Sequence, residues 1–344
     1  MTTIRVLDAA GDAAWDAYVS RQSAASIYHL SAWRTLIADL YGHASHYLYA
    51  IEGTDVVGVL PLVRLKSVLF GDYLVSMPYF NYGGAIAQTP EIKRELLEQA
   101  AGFAARNGCS HIEARDTAPF EAGWSARTDK VGMELALPRD VDALWSGFSS
   151  KLRAQIKRPQ REAGVEVRRG GAELLTDFYQ VFSRNMRDLG TPVYPVTMFA
   201  RILAAFPAAT AIVSVRFESQ PVAAGFVIGF RDRLEIPWAA SRREFNRFGF
   251  NMLLYWEILK KAVEDGYAVF DFGRSSRDGG THKFKQQWGA QERPLHWHYW
   301  LPAGKQMPNL TPKNSKYSFA IAMWKRMPLL VANRIGPWLV GNLP

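Results

Sequence analysis

Two stretches of the chain repeat one order of apolar and polar positions. The first opens with a strand-like run, Ile4–Leu7, and helical spacing around Ala13–Ser20 and Ser31–Tyr41, with Ser31 placed as an N-cap. HYLYAIEGTDVVGVLPLVRL sets apolar runs on both sides of Glu52–Asp55 and predicts a hairpin; GDYLVSMPYFNYGGAI predicts a strand ending in a loop rich in Tyr, Asn and Gly. Ile92, Leu96, Leu97, Ala100, Ala101 and Ala104 then recur at helical spacing from about Pro90 to Arg106, and NGCSHIEARD turns into a strand.

The second stretch contains an amphipathic helix over ELLTDFYQVFSRNMRDLG, with Leu174, Phe178, Val181 and Phe182 on one side and Gly190 as terminator. A short helix (197–206), strands at 210–217, 222–230 and 234–240, and a helix leading to Gly266 follow. ARNGCSHIEAR and VEDGYAVFDFG align without gaps at an offset of 158, pairing Glu113 with Asp271, while EGTDVVG and ESQPVAA correspond at an offset of 166. Two correspondences in the same order argue for an internal duplication. Val131–Leu137 reads as the last strand of the first block and Pro138 as its exit, which predicts domains at 1–138 and 139–302 and a tail at 303–344.

The 344 residues are 48% hydrophobic and 13% aromatic, enough for two cores. One cysteine excludes an internal disulfide, and the N-terminal residues lack the pattern of a signal peptide, so a cytoplasmic protein is expected. Of the net charge of +9, seven charges lie in the 52 residues after Glu292, where there is no Asp or Glu. The body is therefore not a DNA binder by bulk charge. In the tail, Lys325, Arg326 and Arg334 stand among aromatic and aliphatic residues, and Pro328 and Pro337 divide the segment into short pieces. Docking on the protein's own surface, a partner-binding arm and contact with an anionic membrane surface at its inner face all fit.

Charge concentrates in GYAVFDFGRSSRDGGTHKFKQQWGA. Asp271 interrupts an apolar strand before Gly273 and Arg274, and a carboxylate there must face a partner or water. Either a salt bridge closes the strand end, with the lysines on a solvated face, or the charges form a site. Lys283 and Lys285 share one side if their segment is extended. KLRAQIKRPQREAG crowds five basic residues, including Arg153 and Arg158, which either coat a helix or hold an anion; Pro159 divides the segment. TPVYP presents Tyr194, whose alternative is plain loop packing. Trp238 and Ser241 lie towards strand termini, where sheet-based sites gather. His296 and His298 lack further ligands, so no metal is expected.

FDFGRSS followed by HKFKQQWGA, together with KLRAQIKRPQREAG, NMRDLGTPVYP and EIPWAAS, resembles FemAB-type peptidyl and aminoacyl transferases. The likeness is to the branch found beside exosortase (PEP-CTERM) and exopolysaccharide genes, and it spans about Leu30 to Trp300. It implies an α/β fold of two tandem GNAT-like acyltransferase domains, each a mixed sheet flanked by helices. The implied reaction moves an acyl or aminoacyl group onto an amine of a peptidoglycan, exopolysaccharide or other anionic envelope precursor; the alternative is a noncatalytic GNAT-like binding factor. Lys285, in the Phe284–Lys285 pair, matches the family's site lysine. On this reading Arg274 is expected as a second cation, Asp271 as a proton acceptor or as the group that orients Lys285, unless it is purely structural, and Asp116 is a candidate for binding the substrate amine. The stretch resembling YHLSAWRTLIADLYG packs near the cleft in such proteins, which implies that Trp33 and Arg34 contact a ligand; the alternative is an amphipathic core helix that buries Trp33. The donor is aminoacyl-tRNA in characterised members; for acyl-CoA, Asn246–Asn251 matches the pyrophosphate loop only at Gly249, and Phe250 and Asn251 would crowd it. No tightly bound cofactor is expected.

Overall fold

The computed structural model describes residues 2–67, 70–120, 123–308 and 315–343, so the tail around Pro312 and Lys313 lies outside the described residues. In chain order the first elements are β1 (Thr3–Val6), α1 (Asp12–Arg21), α2 (Ala32–Tyr41), β2 (Ala44–Ser45), β3 (Leu48–Glu52), β4 (Asp55–Leu60), β5 (Val63–Ser67), β6 (Gly71–Val75), β7 (Ile86–Ala87), α3 (Pro90–Arg106), β8 (Ile112–Asp116) and β9 (Ser125–Arg127). Then follow β10 (Lys130–Ala136), α4 (Val141–Gly147), α5 (Ser150–Lys157), β11 (Val165–Gly170), α6 (Leu175–Leu189), α7 (Val196–Ala205), β12 (Thr210–Phe217), β13 (Gln220–Phe230), β14 (Arg233–Ser241) and α8 (Phe250–Glu264). The last are β15 (Val269–Ser276), α9 (Gly280–Gln286), β16 (Gln291–Pro294), β17 (His296–Trp300), α10 (Ser315–Arg326) and α11 (Leu329–Val340).

One compact unit comprises Met1–Val131, Arg293–Leu310 and Gly341–Pro344; the other comprises Gly132–Glu292 and Thr311–Val340. The first holds a sheet ordered β1-β3-β4-β7 and a sheet ordered β2-β5-β6-β8-β17-β9. Thr89 caps α3 by accepting from the Ile92 N–H, with Pro90 at the first helical position. The helix buries Ile92, Leu96, Leu97, Ala100 and Ala104 with Leu48, Ala50, Val57 and Leu60 of the hairpin. Close packing depends on Gly58, where an added Cβ would stand 3.0 Å from both Ile92 and Leu96.

The second unit is built on a sheet ordered β11-β12-β13-β14-β15-β10-β16. Helices cover both faces, as neighbouring residues of β13 show. Phe226 packs on Phe178 of α6 and Phe199 of α7, whereas a Cβ on Gly225 would meet Ile258 of α8 and Ile236. A bulge opposite Val227 places Ile236 on the α8 face and Trp238 on the α6 face of β14.

The predicted duplication is visible in matching elements. Glu113 lies on β8 after α3, Asp271 on β15 after α8, and each strand runs parallel to its neighbour, β6 or β14. The predicted boundaries need correction. β10, read as the last strand of the first block, lies beside β15, and β17 pairs antiparallel with β8. An apolar strand carries the same local pattern whichever sheet it joins, so a boundary at 138 does not follow from the pattern. The tail is corrected too: Pro328 separates α10 from α11, but Pro337 stands inside α11 without ending it. In the last turn it removes one backbone N–H.

Candidate active site

The strands β14 and β15 pair only from Arg233↔Val269 to Glu235↔Asp271, although β14 continues to Ser241 and β15 to Ser276. Beyond that last pair they part, leaving a wedge between the ends of the two strands. Two buried carboxylates, Glu235 and Asp271, mark its closed end, side by side in register. Phe272 stacks on Tyr255 of α8, so Asp271 faces the other side of the sheet, as does Glu235 beside the α8-facing Ile236.

Asp271 is fully buried and its Oδ1 accepts the Gly273 N–H at 2.7 Å. Gly273 has φ +74°, a left-handed conformation that glycine adopts without strain. The kink turns the Gly273 and Arg274 carbonyls towards α9, where both accept from Lys285 Nζ at 3.0 Å. Arg233 stands between Glu134, at 2.8 Å, and Asp271 Oδ2, at 3.7 Å. Burial pushes the Lys285 ammonium down from 10.5 to about 8; Asp271 and Glu235 pull it up, and Arg274 adds to the fall. A lysine so placed is a cation at neutral pH that gives up its proton at modest cost.

Lys285 is neither extended nor in a loop: it lies in α9, buried, while Lys283 is exposed. The two lysines therefore do not share a side, because a helix turns successive alternate residues away from each other. Arg274 contributes its carbonyl while its side chain is exposed. Asp271 is bound to the Gly273 turn, whose carbonyl in turn accepts from Lys285. His282, one turn before Lys285, is buried with Nε2 2.8 Å from Glu292, which also pairs with Arg277 at 2.9 Å. The Ser275 hydroxyl is buried with no hydrogen-bond partner among the described residues.

The other expected residues divide. Trp238 shares the face of Asp271 and Glu235 but is 7% exposed, packed edge-on against Phe199, Phe226 and Tyr194; it is core, not an open wall. Tyr194 is half-buried on that cluster, so loop packing accounts for it, and its carbonyl accepts from Tyr179. Ser241 ends β14 in register with Ala223. Arg153 donates through one guanidinium nitrogen to the Phe148 and Ser146 carbonyls at 2.7 and 3.2 Å, capping α4. Arg158 is exposed at the end of α5. Phe250, expected to crowd a pyrophosphate, instead turns inward and stacks on Phe248.

The first unit answers the same strand arrangement differently. At the offset of 158, Gly273 corresponds to Arg115. The Arg115 guanidinium is buried, pairs with Glu113 at 2.7 Å, donates to the Met77 and Phe80 carbonyls and covers the Trp297 ring. Tyr299 donates to the other Glu113 oxygen at 2.6 Å. Glu113 is thus a structural carboxylate. Asp116, three residues on, is buried with Lys93 at 2.7 Å and Oδ2 unpartnered among the described residues. A Cβ on Gly84 would fall 2.4 Å from its Oδ1, and the Gly84 carbonyl accepts from His29, whose pKa burial lowers. Trp33 and Arg34 have structural partners: Trp33 donates to the Ile27 carbonyl and Arg34 pairs with Asp12.

Glu235 and Arg233 also stand at the closed end of the wedge beside Asp271, although charge patterning alone does not single them out. What marks Glu235 is a carboxylate interrupting an apolar strand, as at Asp271.

A model of the acetyltransferase (GNAT) domain matches residues 146–286, the part that carries the wedge and Lys285. No curated protein matches the chain. Among solved structures, FemX superposes with a TM-score of 0.67 at 14% identity, over 87% of this chain and 97% of that one. A tandem GNAT protein from the clavulanic acid biosynthesis pathway gives 0.54 at 14% identity, over 88% and 98%. L-PGS from Bacillus licheniformis gives 0.52 at 14% identity, over 91% and 95%. At these identities the likeness establishes the fold: an α/β chain of tandem GNAT architecture with an acetyltransferase-type domain.

Proposed function

We propose that the chain transfers an acyl or aminoacyl group onto an amine of an anionic cell-envelope, peptidoglycan or exopolysaccharide precursor, in the cytoplasm, at the wedge of the second unit. The observation that carries this reading is Lys285, a buried ammonium held by two carbonyls where two parallel strands part. The donor's carbonyl lies along the open strand edge. As the acceptor amine attacks, the carbon–nitrogen bond forms and charge grows on the carbonyl oxygen, where the Lys285 ammonium stabilises it. The bond to the donor's oxygen or sulfur then breaks, and the amine proton leaves with solvent or the leaving group. Asp271, through Gly273, and Glu235 hold the lysine in place, and exposed Arg274, Lys283 and Arg158 attract the anionic part of the acceptor. In the first unit, Asp116 with its unpartnered oxygen is a binding group for a substrate amine.

Either aminoacyl-tRNA or acyl-CoA serves as donor in this reading. The inward turn of Phe250 removes one objection to the latter. The test offers each donor separately to wild type and Lys285→Met, with amino-sugar and peptide acceptors, and follows product mass. Turnover that depends on Lys285 supports the proposal. Binding of an acceptor by wild type without consumption of either donor would favour the noncatalytic factor.

A further inference from the structure

The last helix of the second unit wears its apolar residues on the wrong side for a protein in water. Leu330 is 86% exposed, Trp338 65%, Val331 43% and Ile335 38%. With exposed Arg334 they fall on one arc of α11, since residues one, four, five and eight positions apart crowd within less than half a turn. The opposite arc is already used. Ala332, Gly336 and Val340 are buried, and a Cβ on Gly336 would stand 2.9 Å from the Val193 nitrogen, so the helix rests there on bare backbone. Asn333 donates to Ser183 of α6, and Arg187 of α6 holds the Met327 carbonyl at 3.0 Å, just ahead of the helix. Rolling the apolar arc inward would break these contacts, so the outward face is a property of the docked helix.

Its surroundings are basic. Lys325 and Arg326, both exposed, end α10 two residues before α11, and no acidic residue occurs after Glu292. On α10 itself Met323 is 57% exposed. Apolar and aromatic side chains beside exposed cations, on a tail without an acidic residue, complement the interface of a bilayer containing anionic lipid. Among the described residues no helix is long and apolar enough to cross a membrane, which suits a helix lying in the interface plane.

We infer that α11 is a docked membrane-binding helix: Leu330, Val331, Ile335 and Trp338 bed into the headgroup region of an anionic bilayer while Arg334, Lys325 and Arg326 meet lipid phosphates. This inference stands apart from the acyl-transfer reading, because it is measured without donor or acceptor. The full chain is sedimented with vesicles of phosphatidylcholine alone and of phosphatidylcholine with phosphatidylglycerol, at low and high salt. Wild type binds only the anionic vesicles and is released by salt. Leu330→Asn/Trp338→Asn weakens partitioning by about tenfold or more, from the lost apolar burial. Arg334→Gln weakens it about fivefold, as one cation near an anionic surface. Both variants are compared with wild type at a temperature where circular dichroism shows all three proteins folded. Failure of wild type to bind, or equal binding by the double variant, overturns the inference. So does a wild-type dimer in light scattering that the double variant abolishes, which assigns the face to a second copy of the chain.

Discussion

Glu113→Gln tests whether the first unit's carboxylate is structural. The side chain is 3% exposed, its Oε1 lies 2.7 Å from the Arg115 guanidinium and its Oε2 accepts from Tyr299 at 2.6 Å. Glutamine keeps the volume and one acceptor but removes the charge, leaving Arg115 buried without its counter-ion. Breaking one side of such a pair costs about 3–5 kcal/mol, well above the ~1 kcal/mol of an exposed pair. Burial pushes the Glu113 carboxyl up, but Arg115 and Tyr299 more than offset this and hold it below the ordinary 4.5. A depressed folded pKa contributes stability that is full above the ordinary value and lost as pH falls through the folded one. Urea unfolding followed by tryptophan fluorescence should therefore show the full deficit at neutral pH, shrinking in acid below about 4.5. A deficit under ~1 kcal/mol, or one independent of pH, would refute the buried-pair account.

Gly273→Ala forces a side chain into φ +74°, at a cost of about 1–2 kcal/mol, and displaces the carbonyls that hold Lys285, so calorimetry and transfer assays should both register it. Transfer that depends on the Lys285 cation declines as pH rises through about 8, and Lys285→Arg moves that limb beyond the measurable range; a limb unchanged in Lys285→Arg assigns the titration elsewhere. Arg153→Ala uncaps α4 and lowers the midpoint of unfolding without raising the Michaelis constant for an anionic acceptor, whereas Arg158→Ala, at an exposed position, raises it. A raised constant for Arg153→Ala with unchanged stability would restore that residue to the binding site.

The duplication was legible because its signals are local: a helix of fixed spacing followed by an apolar strand interrupted by a carboxylate, once at Glu113 and once at Asp271. The placement of β10 and β17 was not, since strand pairing across a long separation leaves no mark on the strand's own alternation. At Lys285 two periods competed. Lys283, Phe284 and Lys285 alternate as a strand would, yet the buried residues are His282, Lys285 and Trp288, spaced by three as in a helix. The helical period prevailed because it buries Trp288 against Phe148 and Tyr255. The charge of Arg153 suggests an anion site, but the Phe148 carbonyl that it reaches lies five residues away, within reach of a cap that composition does not reveal.

The proposed role of the wedge is tested most directly by the rate of donor-dependent product formation for Lys285→Met beside wild type, both at matched folding. Methionine fills the buried volume but leaves the Gly273 and Arg274 carbonyls without their donor, so stability falls and the rates are compared at a temperature where circular dichroism shows both proteins folded. Loss of an oxyanion-stabilising group should lower turnover by about a hundred- to a thousandfold. Wild-type turnover in the folded variant would contradict the assignment of Lys285 and, with it, the site.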